Sequence, residues 1–308
     1  MMKKIITIGE YLVDMMPYEQ GFQPKPGGAP MNVAVAIHRL NGDVIPIAQV
    51  GDDIFGHMLK NTLVQEGMNV QYISLDETHQ TSLAFVSLDA FGERQFMFYR
   101  DPSADQYVSL TQQTLKQIQY DIVHFGSVGL AEYPLKMSTD LLIEDAILHD
   151  KIISFDVNIR LMLVKDEQHH QATIHTYIKK SKLIKCSFEE IVYLHGEEQP
   201  LNDMVSTLFQ INDQMVIVTN GAKGVHVFYK EDVFYQQAFQ VEVIDTTGAG
   251  DAFMGAFLWS LSKEDQPFIN TNWIPKALEV ASYAGALTIT KKGAMEALPK
   301  YQDILRFF

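Results

Sequence analysis

The sequence predicts a doubly wound α/β fold built on a mostly parallel sheet. Three observations carry that expectation. Short apolar runs recur along the chain, and several are continuous rather than alternating, as strands covered on both faces require. Helical patterns separate them. One stretch breaks the alternation with two neighbouring strand-like runs.

In chain order, the expected core strands are residues 4–8, 44–50, 122–125, 152–157, 183–186 and 215–219. The expected helices are 29–40, 55–66, 134–149, 252–261 and 275–290. The break comes at residues 81–89 and 93–100, which read as a hairpin around Ala90-Phe91-Gly92. Residues 11–26 are also non-helical and rich in turn formers. Together the segments 11–26 and 81–100 fit a small antiparallel sheet projecting from the main body, or an ordinary edge hairpin. No internal repeat, low-complexity tract or Pro/Gly/Ser linker divides the chain, so residues 1–308 read as one domain with an excursion.

Composition narrows the function. Hydrophobic residues make up 47%, enough for a sizeable core. The formal charge is −14, from 24 Lys and Arg against 38 Asp and Glu. Nucleic acid is therefore not an expected partner, and any anion must be held by a local site rather than by the overall field. The single cysteine, Cys186, excludes an internal disulfide and fits a reducing compartment. The apolar start stops at Gly9-Glu10, too short for a signal peptide, and no run approaches the ~18 apolar residues that span a membrane. A cytoplasmic protein with no membrane partner is the expectation. The ten histidines show no ligand spacing, so a structural zinc site is not expected.

The sharpest local signal is Thr246-Thr-Gly-Ala-Gly-Asp-Ala-Phe253, placed after a β-like run at 240–244 and at the start of an apolar helical pattern. Glycines at 248 and 250 let backbone N–H groups approach a ligand, and a helix N-terminus favours an anion. An acidic residue in such a turn is explained if Asp251 faces a hydroxyl that attacks a phosphate and accepts its proton. The same spacing also fits a glycine-rich turn with a capping aspartate. It is neither a Walker A loop nor a dinucleotide fingerprint.

Two further stretches are weaker. Pro26-Gly-Gly-Ala-Pro-Met-Asn32 opens a helix, and Asn32 offers a donor and an acceptor suited to sugar hydroxyls. Phe155-Asp-Val-Asn-Ile-Arg160 ends an expected strand, where open α/β sheets bind ligands, so Asp156, Asn158 and Arg160 are candidates for sugar and phosphate. Each alone fits a plain turn. Their convergence is the argument: Asp14, Asn158, Glu190, Gly221 and Asp251 all follow expected strands, which gathers them along one sheet edge.

These motifs resemble the ribokinase-like (PfkB) carbohydrate kinases over nearly the whole chain. Residues 27–56, including Gly-Gly-Ala-Pro-Met-Asn and Gln49-Val-Gly-Asp-Asp-Ile-Phe-Gly56, look like the family's first signature, and residues 245–257 look like its second. Residues 92–105, Phe155-Asp-Val-Asn-Ile-Arg160 and Lys292-Gly-Ala-Met-Glu-Ala-Leu-Pro299 look most like fructokinases. The resemblance implies a Rossmann-like core with a β lid, formed by 11–26 and 81–100, over the sugar. It implies Asp251 as general base and Gly248, Ala249 and Gly250 as the anion hole. Asp14, Gly28, Asn32, Arg100, Asn158 and Arg160 would bind sugar, and Thr219, Gly221 and Gly224 the nucleotide. Glu190 would organise Mg²⁺ through water, and Asp245 and Thr247 would belong to a K⁺ site. Two positions depart from the pattern: Val157 stands where fructokinases have Pro, and Ser187 where ribokinases have Asn.

The implied reaction is MgATP plus D-fructose giving fructose 6-phosphate and ADP. The rivals are a kinase of 2-keto-3-deoxygluconate or another sugar, and a sugar-binding regulatory protein without catalysis. A homodimer through the lid is a further expectation.

Overall fold

The computed structural model describes residues 2–88, 94–130, 133–210 and 212–307. The chain enters on β1 (Ile5–Ile8), leaves for a hairpin of β2 (Leu12–Tyr18) and β3 (Gly21–Gly27), and returns through α1 (Ala29–Arg39) to β4 (Val44–Gly51). Helix α2 (Ile54–Gln65) leads to β5 (Ile73–Asp76), followed by a second excursion, β6 (Leu83–Leu88) and β7 (Arg94–Tyr99). After the short α3 (Gln112–Leu115) come β8 (Ile122–Gly126), α4 (Pro134–Leu148), β9 (Ile152–Asp156), α5 (Glu167–Lys180) and β10 (Leu183–Ser187). Helices α6 (Phe188–His195) and α7 (Leu201–Leu208) precede β11 (Met215–Thr219). A hairpin, β12 (Val225–Tyr229) and β13 (Asp232–Gln236), leads to α8 (Ala249–Ser262) and α9 (Ile274–Thr288).

The main sheet has nine strands in the order β13-β12-β11-β10-β9-β8-β1-β4-β5. It is parallel from β11 to β5, and only β12 and β13 run antiparallel. Strand order runs outward in both directions from the β1–β8 pair. That switch point is where doubly wound sheets open a crevice beyond their strand ends.

The continuous apolar runs are explained by cover on both faces. On one side Ile6, Ile8, Val123, Phe125 and Phe155 pack with Leu142, Ile143 and Tyr177. On the other, Ile5 and Ile122 pack with Val33 and Ile37 of α1 and Met254, Phe257 and Leu258 of α8. The expected core strands agree to within a residue or so. Helix α8 begins at Ala249 rather than 252, which puts Asp251 in its first turn.

Other expectations need correction. Residues 240–244 form no strand. Val243 and Ile244 are exposed, and the Ile244 and Asp245 N–H groups donate to the Ile289 carbonyl, so this segment packs on the end of α9 instead of joining the sheet. Asp14 does not follow a core strand; it lies within β2. Strand β5, the β12–β13 hairpin and helices α5 to α7 carried no signal that we read.

The excursion is a separate four-stranded sheet, ordered β3-β2-β6-β7. It consists of two antiparallel hairpins joined along a parallel β2–β6 seam. The turn at Ala90-Phe91-Gly92 lies outside the described residues. Leu83, Phe85 and Phe98 do not share one face of this sheet. Leu83 pairs with Tyr99 and Phe85 with Met97, whereas Phe98 pairs with Ala84 on the opposite face. A pairing register fixes faces with period two, and this register is set by both strands together.

Helices α1 and α8 approach closely at Gly255. A Cβ there would collide with the Ala36 Cβ and sit 3.1 Å from the Val33 carbonyl. Gly255→Ala should therefore lower unfolding stability by about 1–3 kcal/mol. Urea denaturation checks this, and an unchanged midpoint would show that the two helices separate freely.

Candidate active site

The site forms where α1 and α8 begin. Helix α1 starts after Gly28, whose φ of 108° suits glycine. A side chain there would strike the Glu10 carbonyl at the end of β1, and one at Gly27 would strike the Asp14 carboxylate. The pair of glycines thus lets the helix start press against β1 while Asp14 reaches over it.

Asn32, in the first turn of α1, is buried and donates from Nδ2 to Oδ2 of Asp251 at 2.7 Å. Its Oδ1 has no partner among the described residues, nor has Nδ2 of the buried Asn158. These are two unsatisfied polar groups, an acceptor and a donor, and buried groups of this kind call for a polar ligand. Asn158 holds φ 37°, and its carbonyl accepts from Ser127 Oγ at 3.3 Å.

Asp251 sits in the first turn of α8, beside N–H groups that have no intrahelical acceptor. By surface area it is half-buried, but it is set deep enough that desolvation dominates its titration. Burial pushes its carboxyl up, Asp156 adds to the rise, and the Asn32 hydrogen bond, Lys185 and Arg160 oppose it. The result is a more basic carboxylate than an ordinary aspartate.

Lys185, in the middle of β10, did not enter the sequence reading. Its Nζ lies 3.4 Å from where a Gly250 Cβ would stand, directly under the α8 N-terminus. It donates to both Asp156 oxygens, at 2.9 and 2.8 Å, with both side chains buried. Burial opposes its charge, but Asp156 and Glu190 outweigh that and raise its pKa, so it stays an ammonium. Asp156, expected among sugar and phosphate ligands, is committed to this lysine. The signal was available: a lysine inside the apolar run Leu183-Ile-Lys-Cys-Ser187 is out of place in a central strand unless paired.

Glu190 lies in the first turn of α6, directly after β10. Its Oε1 accepts from the Ile159 N–H at 2.6 Å and its Oε2 from the Ser187 N–H at 2.7 Å, completing a capping box for α6. Burial raises its pKa against the pull of Lys185. Thr219 pairs in register with Ser187, so the turn carrying Gly221 and Gly224 stands beside Glu190 at the same sheet edge. Asp245 is buried and accepts from the N–H groups of Thr247 at 2.8 Å and Gly293 at 3.0 Å, which ties its loop to the segment after α9.

Arg100 and Arg160 stand on the far side of Asp251. They line a cleft of about 410 Å³ with Phe98, Ser127 and Tyr133, which runs outward to Lys165 and His169 and stops short of Asp251 itself. Arg100 is buried and partly committed, with Nε donating to Asp105 at 2.8 Å. Arg160 is exposed at the mouth. Glu10, also missed from sequence, is 4% exposed and accepts from the Ala29 N–H at 3.3 Å. Its Oε2 has no partner among the described residues. Burial pushes its pKa up to about 7, against the attraction of Arg100.

The structure therefore joins Asp251 to Asn32, sets Lys185 beside Gly250, closes Gly28 on the end of β1 with Asp14 against Gly27, and places Glu190 between Ile159 and the Thr219 turn. Asp245 and Thr247 lie just before the Gly248 cap of α8. Among the described residues no three His, Cys, Asp or Glu groups gather into a metal cage. Among the described residues no helix is long and apolar enough to cross a membrane.

Residues 2–301 match the model of the pfkB family of carbohydrate kinases. The chain is 36% identical to "Probable fructokinase-4" of Arabidopsis thaliana, over 97% of this chain and 95% of that one. It superposes on the fructokinase of Vibrio cholerae O395 in fructose-, ADP- and calcium-bound form with a TM-score of 0.91, at 36% identity and 99% coverage of both chains. A double mutant of that protein in fructose-, ADP- and potassium-bound form gives a TM-score of 0.90 at 35% identity, covering 99% and 98%.

Glu10 supplies a stability test. Its raised pKa means that the folded state binds more protons than the unfolded state between the ordinary carboxylate value of 4.5 and about 7. Stability from this group is therefore greatest at acid pH, falls as pH rises through that window, and is flat above it. The decline should amount to roughly 3 kcal/mol and be absent in Glu10→Gln. Unfolding curves of both proteins at pH 5 and pH 8 measure it; parallel pH dependences would place Glu10 in water.

Proposed function

Because the chain belongs to the pfkB family of carbohydrate kinases, we propose that it transfers the γ-phosphoryl group of ATP to the primary hydroxyl of D-fructose. It is an ATP-dependent sugar kinase; fructose is the acceptor that its relatives' substrates and the unsatisfied Asn32 and Asn158 amides favour. The carrying observation is the Asn32–Asp251 hydrogen bond, which holds a basic carboxylate at a helix N-terminus.

Each part then has a role. Asp251 Oδ2 is steadied by Asn32, and the carboxylate takes the hydroxyl proton as the phosphoryl group arrives. The first-turn N–H groups of α8, at Ala249, Gly250 and Asp251, with Gly248 as its cap, stabilise the transferring oxygens. Lys185 adds positive charge below them. Asp14, Gly28 and Asn158 bind the sugar, and Arg100 and Arg160 close its outer side. Thr219, Gly221 and Gly224 carry the nucleotide. These assignments make residues 1–308 one kinase domain, with 11–26 and 81–100 as its lid.

Mg²⁺ fits this donor set only at a distance. Both Glu190 oxygens already accept backbone N–H groups, so Glu190 would hold a water of the ion rather than the ion itself. When bound with ATP, Mg²⁺ neutralises phosphate charge. Asp245 and Thr247 are assigned to a K⁺ site, supported by the potassium-bound relative. The outer lid face carries Phe22, Met97 and Tyr99, all exposed, and a second copy of the chain is the cover assigned to it. The lone buried thiol, Cys186, supports a cytoplasmic location.

Asp251→Asn should keep the fold and lower kcat by about 10²–10⁴-fold. In the wild type, kcat should fall as pH drops through the Asp251 pKa, at a pH above the ordinary aspartate range. A coupled ADP-release assay with fructose reads both, and a variant within a few-fold of wild type would remove Asp251 from the chemistry. The same assay should run faster in KCl than in NaCl at equal ionic strength. Equal rates in K⁺, Na⁺ and a bulky organic cation would strike out the K⁺ site.

A further inference from the structure

The segment after α9 touches three parts of the machine. The Gly293 N–H donates to Asp245 Oδ2 at 3.0 Å. Ala294 packs on Gly248, where an added Cβ would meet its Cα at 3.0 Å. The carbonyls of Met295 and Leu298 accept from Arg39 Nη1 of α1 at 2.9 and 2.7 Å. Arg39 is itself clamped to Glu66. Residues 293–298 are thus fixed to the anion-binding turn and to the helix that carries Asn32.

From this segment Glu296 reaches the lid. Its two carboxylate oxygens accept from Lys25 Nζ at 2.9 and 2.8 Å. Lys25 lies on β3, opposite Asp14 in register. We propose that Lys25 and Glu296 are a positioning pair, which sets the sugar-binding strands of the lid against the Asp245 and Gly248 turn.

A half-exposed pair adds little to folding stability, since solvent screens it and two long side chains must be ordered. Its effect comes from what it joins. Asp14 and its neighbour across the hairpin belong to one small sheet, attached to the body through the chain at β1 and α1 and through the β6–β7 hairpin. Lys25 lies close to the start of α1, so its contact with Glu296 braces the base of the β2–β3 hairpin against the body independently of the connecting chain. The same contact ends on a segment bonded to the anion-binding turn, so the height of the lid over Asp251 is defined by a path that bypasses the sugar. The pair should therefore move sugar affinity and leave the chemical step alone.

The inference rests on the kinase reading only for its activity arm. Lys25→Met and Glu296→Gln should each raise the fructose KM roughly two- to five-fold, with kcat and the ATP KM within about twofold. The double variant should be no worse than either single one, because both remove the same interaction. Lys25→Glu with Glu296→Lys should restore most of the affinity, which mere packing would not do. High salt should raise the wild-type KM and leave the double variant unmoved. Hydrogen exchange on the protein without substrate gives an arm free of activity: β3 and residues 293–298 should both exchange faster in Glu296→Gln. Additive losses, or a charge reversal no better than the single variants, would overturn the pair's role. So would unchanged exchange in both segments. If the wild type fails to phosphorylate fructose, the exchange arm still decides the matter.

Discussion

The hydrogen bond between Asn32 and Asp251 joins two helices 219 positions apart in the chain. It exists because α1 and α8 pack on the same face of the sheet and meet at Gly255 without an intervening side chain. That contact brings both helix N-termini to the crevice beyond β1. One start supplies an amide with a spare acceptor, and the other supplies a carboxylate beside unsatisfied N–H groups. Separate the helices by the width of a methyl group and the amide no longer reaches the base.

Electrostatics at this crevice run against the sign of the whole protein. The chain carries a formal charge of −14, yet its substrate is a polyanion. The answer is local. A helix N-terminus and a buried lysine sit together next to Asp251, and two arginines line the neighbouring cleft. The buried lysine would be costly alone, so Asp156 accompanies it, and the absence of a side chain at Gly250 leaves room beside the ammonium. Asp156 in turn raises the Asp251 pKa, which makes that carboxylate more basic. Desolvation does the larger share of that work, as it does for Glu10 and Glu190.

The lid has two chemically different faces because its register alternates them. Asp14 and Lys25 share the face that bears Ala84 and Phe98, while Met15, Phe85, Met97 and Tyr99 share the other. One sheet therefore carries charged side chains on one face and exposed apolar ones on the other. The parallel seam between β2 and β6 locks the two hairpins into this arrangement.

The sequence by itself determined the layers of the core. Runs such as 44–50 and 215–219 are apolar throughout because both faces are covered, and that pattern is local enough to read. The Thr246–Phe253 turn was legible for the same reason, since its glycines and aspartate sit within one helix start. The hairpin β12–β13 and helices α5 to α7 were not, because polar outward faces dilute their periodicity. Residues 240–244 misled because a segment tied by its backbone to a helix end can carry the same apolar residues as a strand. Tertiary structure alone decided that Lys185 holds Asp156, that Glu190 spends both oxygens on backbone, and that Leu83 and Phe98 lie on opposite faces. Each of those depends on which strands become neighbours and in what register, and such pairings between distant segments leave no trace in local spacing.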